Sequence, residues 1–142
     1  VHDQPDRPSH PERLAALFIA VTWAAVVFAV SGLLAVVLDR DPIDRPVSPY
    51  LGVVSLLIAM LVVYAGIVAT VPRRAPWTGA VLTAVGVAVA FLLIAAIVDL
   101  DLAIAQLTSP FVAAAVVLAL VPPWASWAYF ASRRPGGRDP LR

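Results

Sequence analysis

Four stretches of the chain carry neither an acidic nor a basic side chain over more than twenty residues: Leu14 to Leu38, Tyr50 to Val71, Trp77 to Val98 and Pro110 to Phe130. At a helical rise of 1.5 Å per residue even the shortest covers about 30 Å, the thickness of a bilayer's hydrocarbon core. Within hydrocarbon a segment must satisfy its own backbone N–H and C=O groups, which an isolated apolar run can do only as an α-helix. The expected fold is therefore an all-α, integral membrane four-helix bundle, with residues 1–142 forming a single membrane domain. Composition agrees. The chain is 61% hydrophobic and 13% charged, whereas soluble domains carry about 25% charged residues. The residues between the four runs are too few for a separate soluble core.

The first run is longer than the roughly 7–15 residues of a cleavable signal's apolar region, so it reads as a permanent helix. Ser9 and Glu12 stand at capping-box spacing ahead of it, and Pro11 suits a first helical turn.

Arginine placement gives an orientation. Arg7, Arg13, Arg73, Arg74, Arg133, Arg134, Arg138 and Arg142 all fall on one side of the four spans, and only Arg40 and Arg45 on the other. By the positive-inside rule the N-terminal tail 1–13, the turn at 72–76 and the tail 131–142 are cytoplasmic, and segments 39–49 and 99–109 lie outside. The 131–142 tail, with its Gly-Gly and little apolar content, is expected to be disordered. Arg73, Arg74, Arg133 and Arg134 form a belt suited to anionic lipid headgroups. Trp77, Trp127 and Tyr129 stand at headgroup depth on the same side, and Tyr50 marks the outer end of the second span. All ten basic residues are arginine, a usage typical of GC-rich bacterial genomes, so the expected location is a bacterial cytoplasmic (inner) membrane.

A shift of about sixty residues exposes an internal similarity. Val37-Leu38-Asp39-Arg40-Asp41 resembles Ile97-Val98-Asp99-Leu100-Asp101, Ser48-Pro49-Tyr50 resembles Ser109-Pro110-Phe111, and each half ends in an arginine pair. The pattern reads as two helical hairpins from an internal duplication. Each unit contains two spans, so the hairpins would be parallel repeats about an axis along the membrane normal.

Asp39, Asp41, Asp44, Asp99 and Asp101 face two arginines on the outer side. The rim formed by Asp39, Asp41, Asp99 and Asp101 could attract a hard divalent cation, but a solvated acidic rim is the simpler reading, and no metal or cofactor is assigned. An acid at the C-terminal end of a helix is unfavourable by about 0.3–1 kcal/mol. Pro42 ends the first span soon after Asp39, whereas after Asp99 the stripe Leu100, Ala103, Ile104 and Leu107 allows a helix over 99–108. That segment is expected either to prolong the third span or to lie along the outer interface.

The spans contain no Asp, Glu, His, Lys or Arg, which argues against a proton-coupled pump. A serine hydrolase would need a base at depth, and His2 and His10 both precede the first span. The absence of cysteine removes thiol chemistry and Cys-ligated metals. Small residues at Gly79, Thr83, Gly86 and Ala90, and at Gly52, Ser55 and Ala59, recur at the spacing that brings membrane helices together, which puts the third span at the bundle centre. Pro122-Pro123 should kink the fourth span near Ala119 to Val121. By elimination the sequence points to a non-catalytic accessory or assembly subunit acting through helix packing. Its partners would be the lipid bilayer and a membrane protein or further copies of itself, with no nucleic acid and no small-molecule substrate. A homo-oligomeric channel or holin-like permeation element is the alternative.

Overall fold

The computed structural model describes residues 10–40, 48, 50–70 and 76–132. Among these residues all regular structure is helical: α1 (His10–Leu38), α2 (Tyr50–Thr70), α3 (Pro76–Val98), α4 (Leu100–Leu107), α5 (Pro110–Leu118) and α6 (Val121–Ser132). Four stretches are long and apolar enough to cross a membrane: Pro11–Leu38, Tyr50–Ala69, Pro76–Val98 and Pro110–Tyr129. α1 begins at His10, four residues before the apolar run, because Pro11 and Glu12 both favour a helix's first turn. At the other end α6 continues through Ser132, so the expected disordered tail is helical over its first two residues.

The fourth span is two helices. Pro122 and Pro123 have no N–H to offer the carbonyls one turn back. The ladder tightens ahead of them: the Ala119 N–H donates to both Ala115 O and Val116 O, and the Leu120 N–H donates to Val117 O at 3.2 Å. The break at 119–120 lies within the stretch expected to kink.

The core combines alanines with larger apolar residues at helical spacing. Ala16, Ala20, Trp23 and Val27 form one stripe of α1 and Ala59, Val63 and Ile67 one stripe of α2, joined by Ala84, Val87, Ala115 and Ala119. α3 packs on α2, α4, α5 and α6, while α1 packs on α2, α5 and α6. The closest approach is between α2 and α3. A Cβ on Gly66 would overlap Thr83 Oγ1, and one on Gly86 would come within 2.7 Å of Val62 Cγ1. Without a hydrophobic driving force between helices in lipid, such backbone proximity provides the van der Waals contact that holds a bundle together.

Aromatic contacts define one end of the bundle. The Trp124 ring meets Trp77 edge-on at 4.9 Å and Trp127 edge-on at 5.9 Å, joining the start of α3 to α6. The opposite end gathers the C-terminal ends of α1 and α3, the N-terminal ends of α2 and α5, and α4.

Candidate functional site

The α4 end holds Asp39, Asp99 and Asp101, and each has a local backbone role. Asp39 adopts φ 47, a left-handed conformation uncommon for a side-chain-bearing residue. The Arg40 N–H then donates to Ala35 O at 3.1 Å, the six-to-one bond of a Schellman turn that closes α1. Asp39 thus occupies the position where glycine is usual.

Asp99 behaves differently. α3 stops at Val98, Asp99 swings to an extended φ of −161, and its side chain accepts a hydrogen bond from the Asp101 N–H at 3.0 Å, capping α4. The chain does not carry α3 onward. A carboxylate that would be unfavourable at the end of one helix becomes favourable at the start of the next, and Asp101 adds a second acid in the first turn of α4.

Asp39, Asp99 and Asp101 are exposed, and the described residues contain no group of three or more potential ligands placed to hold a metal. Asp41 lies outside the described residues, as do Arg73, Arg74, Arg133 and Arg134 of the expected headgroup belt.

The orientation of α4 departs from the sequence pattern. Leu100, Ile104 and Leu107 of the apolar stripe are exposed and Ala103 is half-buried, while Leu102 is buried and Gln106 half-buried on the side packed against the bundle. In water the apolar stripe would turn inward. Next to lipid an outward apolar stripe costs nothing, so packing decides which side faces the protein.

On α3, Gly79, Thr83 and Ala90 are buried and Gly86 half-buried. On α2, Ser55 and Ala59 are buried, and Gly52 is exposed. Gly66, the α2 residue pressed against Thr83, is not part of the sequence-derived small-residue stripe. Its signal was its position, seven residues after Ala59 on the same helical face.

The bundle interior presents hydroxyls and one indole. Ser55 donates to Leu51 O at 2.7 Å and Ser126 to Pro123 O at 2.9 Å. Thr83 Oγ1 and Trp23 Nε1 are buried without a hydrogen-bond partner.

Beneath α4 a cavity of about 420 Å³ opens within the helix ends, within the size range of small-molecule sites. α1 contributes Val27, Phe28, Ser31 and Gly32, α2 the stretch from Leu51 to Leu57, and α3, α4 and α5 close it with Phe91, Gln106 and Phe111. The lining residues left most exposed, Phe28, Gly32, Gly52, Val53 and Leu57, all belong to α1 and α2, so the mouth faces sideways between those helices. Gln106 is one of two side-chain amides in the chain, a signal that sequence reading passed over. The chain matches no model of a known protein family, no curated protein and no solved structure.

Proposed function

We propose that this chain is a small, non-catalytic polytopic protein of a bacterial cytoplasmic membrane, with both termini cytoplasmic, that serves as an accessory or assembly subunit through helix packing. The observation that carries the reading is the unequal burial of the spans. In the most apolar window of α1 only 11% of residues are buried, against 39% in the fourth span. α1 thus presents Phe18, Leu33, Val36 and Val37 outward, from its first third to its C-terminal end. It is the helix with the most side-chain surface free for another membrane helix to pack on.

The orientation rests on the eight-to-two division of arginines. The reading of two parallel hairpins is supported by the repeated Ser-Pro-aromatic motif, since Tyr50 begins α2 and Pro110 begins α5. The α4 helix is then an elaboration of the second unit's connection.

The test is native mass spectrometry of the full chain extracted with mild detergent from its host membrane. A second membrane protein at defined stoichiometry, lost when Phe18 and Leu33 are both changed to alanine, is the expected result. A homo-oligomer without other subunits, coupled with leakage from protein-loaded liposomes, would establish the permeation element instead. A monomer alone would overturn the assembly role.

A further inference from the structure

The cavity under α4 is apolar, open to the side and placed at one end of the bundle. Its α2 wall lies within the first eight residues of that helix, its α3 wall within the last eight of that one, and its α1 wall reaches back to Val27, eleven residues before Leu38, so it reaches roughly 10 to 16 Å in from the helix ends. No acid or base lines it. Its polar groups are Ser31, Ser55 and Gln106; Ser55 is already bonded to Leu51 O. The Gln106 amide is half-buried on the side of α4 that faces the cavity. The three phenyl rings of Phe28, Phe91 and Phe111 supply the apolar wall.

We propose that the cavity is a lipid site that holds one acyl chain of a phospholipid with an amine-bearing, zwitterionic headgroup. The sideways mouth lets a chain enter from the bilayer without crossing water. The depth matches the upper part of an acyl chain and brings the glycerol ester carbonyl to the level of Gln106, whose amide N–H₂ can donate to it. The headgroup preference follows from charge. The helix ends around the cavity carry Asp39, Asp99 and Asp101 and one base, Arg40, a balance of three acids against one base among the described residues there. The sequence segments 39–49 and 99–109 together carry five acids against two arginines. That field attracts an ammonium group and repels an anionic headgroup. The inference requires only that the four helices span a bilayer, and it stands or falls separately from the assembly role.

The experiment places the full chain in nanodiscs of equimolar phosphatidylethanolamine and phosphatidylglycerol and releases it gently into a native mass spectrometer. One phosphatidylethanolamine per chain is expected to survive, in clear excess over phosphatidylglycerol. Gly32→Phe should abolish retention, since a Cβ at Gly32 meets no neighbouring atom within 4 Å and the ring it carries has room to enter the mouth. Gln106→Leu should lower retention about fivefold, the equivalent of one ordinary hydrogen bond. It lies on a surface helix and keeps the test decisive should Gly32→Phe fail to fold. Asp99→Asn with Asp101→Asn should bring the two lipids towards parity. Absence of retained lipid in the wild type, equal retention of the two lipids, or wild-type retention by a folded Gly32→Phe would each overturn the proposal. So would a lipid-free dimer, which would mean that a second copy fills the cavity.

Discussion

Replacing Gly66 with alanine tests whether the α2–α3 approach holds the bundle together. The added Cβ would overlap Thr83 Oγ1 and lie 3.2 Å from both Thr83 Cβ and Cγ2. Thr83 is 2% exposed and Gly66 sits in a helix packed directly against it, so neither residue can move aside without opening the interface. Overpacking of this kind costs about 1–3 kcal/mol. The partner change has a different sign pattern. Thr83→Ala removes the closest atom, Oγ1, together with Cγ2, and leaves only Cβ at 3.2 Å, a contact that a shift of a few tenths of an ångström relieves. It gives up one buried methyl, worth under about 1 kcal/mol of packing, and also deletes a buried hydroxyl that has no hydrogen-bond partner, which relieves about 1 kcal/mol. Its net effect should be close to zero.

The double variant Gly66→Ala, Thr83→Ala should then be nearly as stable as the wild type, with a coupling energy of about 2 kcal/mol between the two sites. The assay is reversible unfolding by SDS titration in mixed micelles for the wild type, both single variants and the double variant, followed by tryptophan fluorescence. Buried Trp23 in the α1 core stripe provides an internal reporter. Additive effects, with the double variant as unstable as Gly66→Ala alone, would refute the contact as the source of the cost.

Asp39→Gly should raise stability by about 1 kcal/mol, because it relieves the left-handed backbone and removes an acid from the C-terminal end of α1; an unchanged SDS midpoint would count against the strain. Asp99→Ala should lose about 1 kcal/mol of capping, seen as faster hydrogen exchange confined to 100–107, and exchange at the wild-type rate would mean that the cap is idle. Pro122→Ala with Pro123→Ala restores two N–H donors and should merge α5 and α6. Amides at 119–123 would then exchange more slowly than the amides at 119–121 do in the wild type, and no slowing would show that the break has another cause.

The four membrane segments were legible because hydrocarbon imposes a one-dimensional rule: length and absence of charge suffice, whatever the neighbours do. The break in the fourth span was legible for a similarly local reason, since proline acts on its own preceding turn. Helicity in 99–108 could be read from periodicity, but its facing could not. Leu100, Ile104 and Leu107 lie outside while Leu102 and Gln106 turn inward, a facing that the period of the apolar residues does not fix.

The same limit applies to the interior. In water, burial sorts residues by polarity, and sequence reports polarity. In a bilayer the sorting is by size and shape, and shape is shared between helices far apart in the chain. Which glycine meets which threonine, as Gly66 meets Thr83, depends on a rotation and a crossing point that neither helix specifies alone. Likewise the cavity beneath α4 exists only because five helices, α1 to α5, converge around it. Span count, span length and charge asymmetry come from local chemistry along the chain; the helix faces in contact, the turn made at Asp99 and the shape left empty between the helices come from packing in three dimensions.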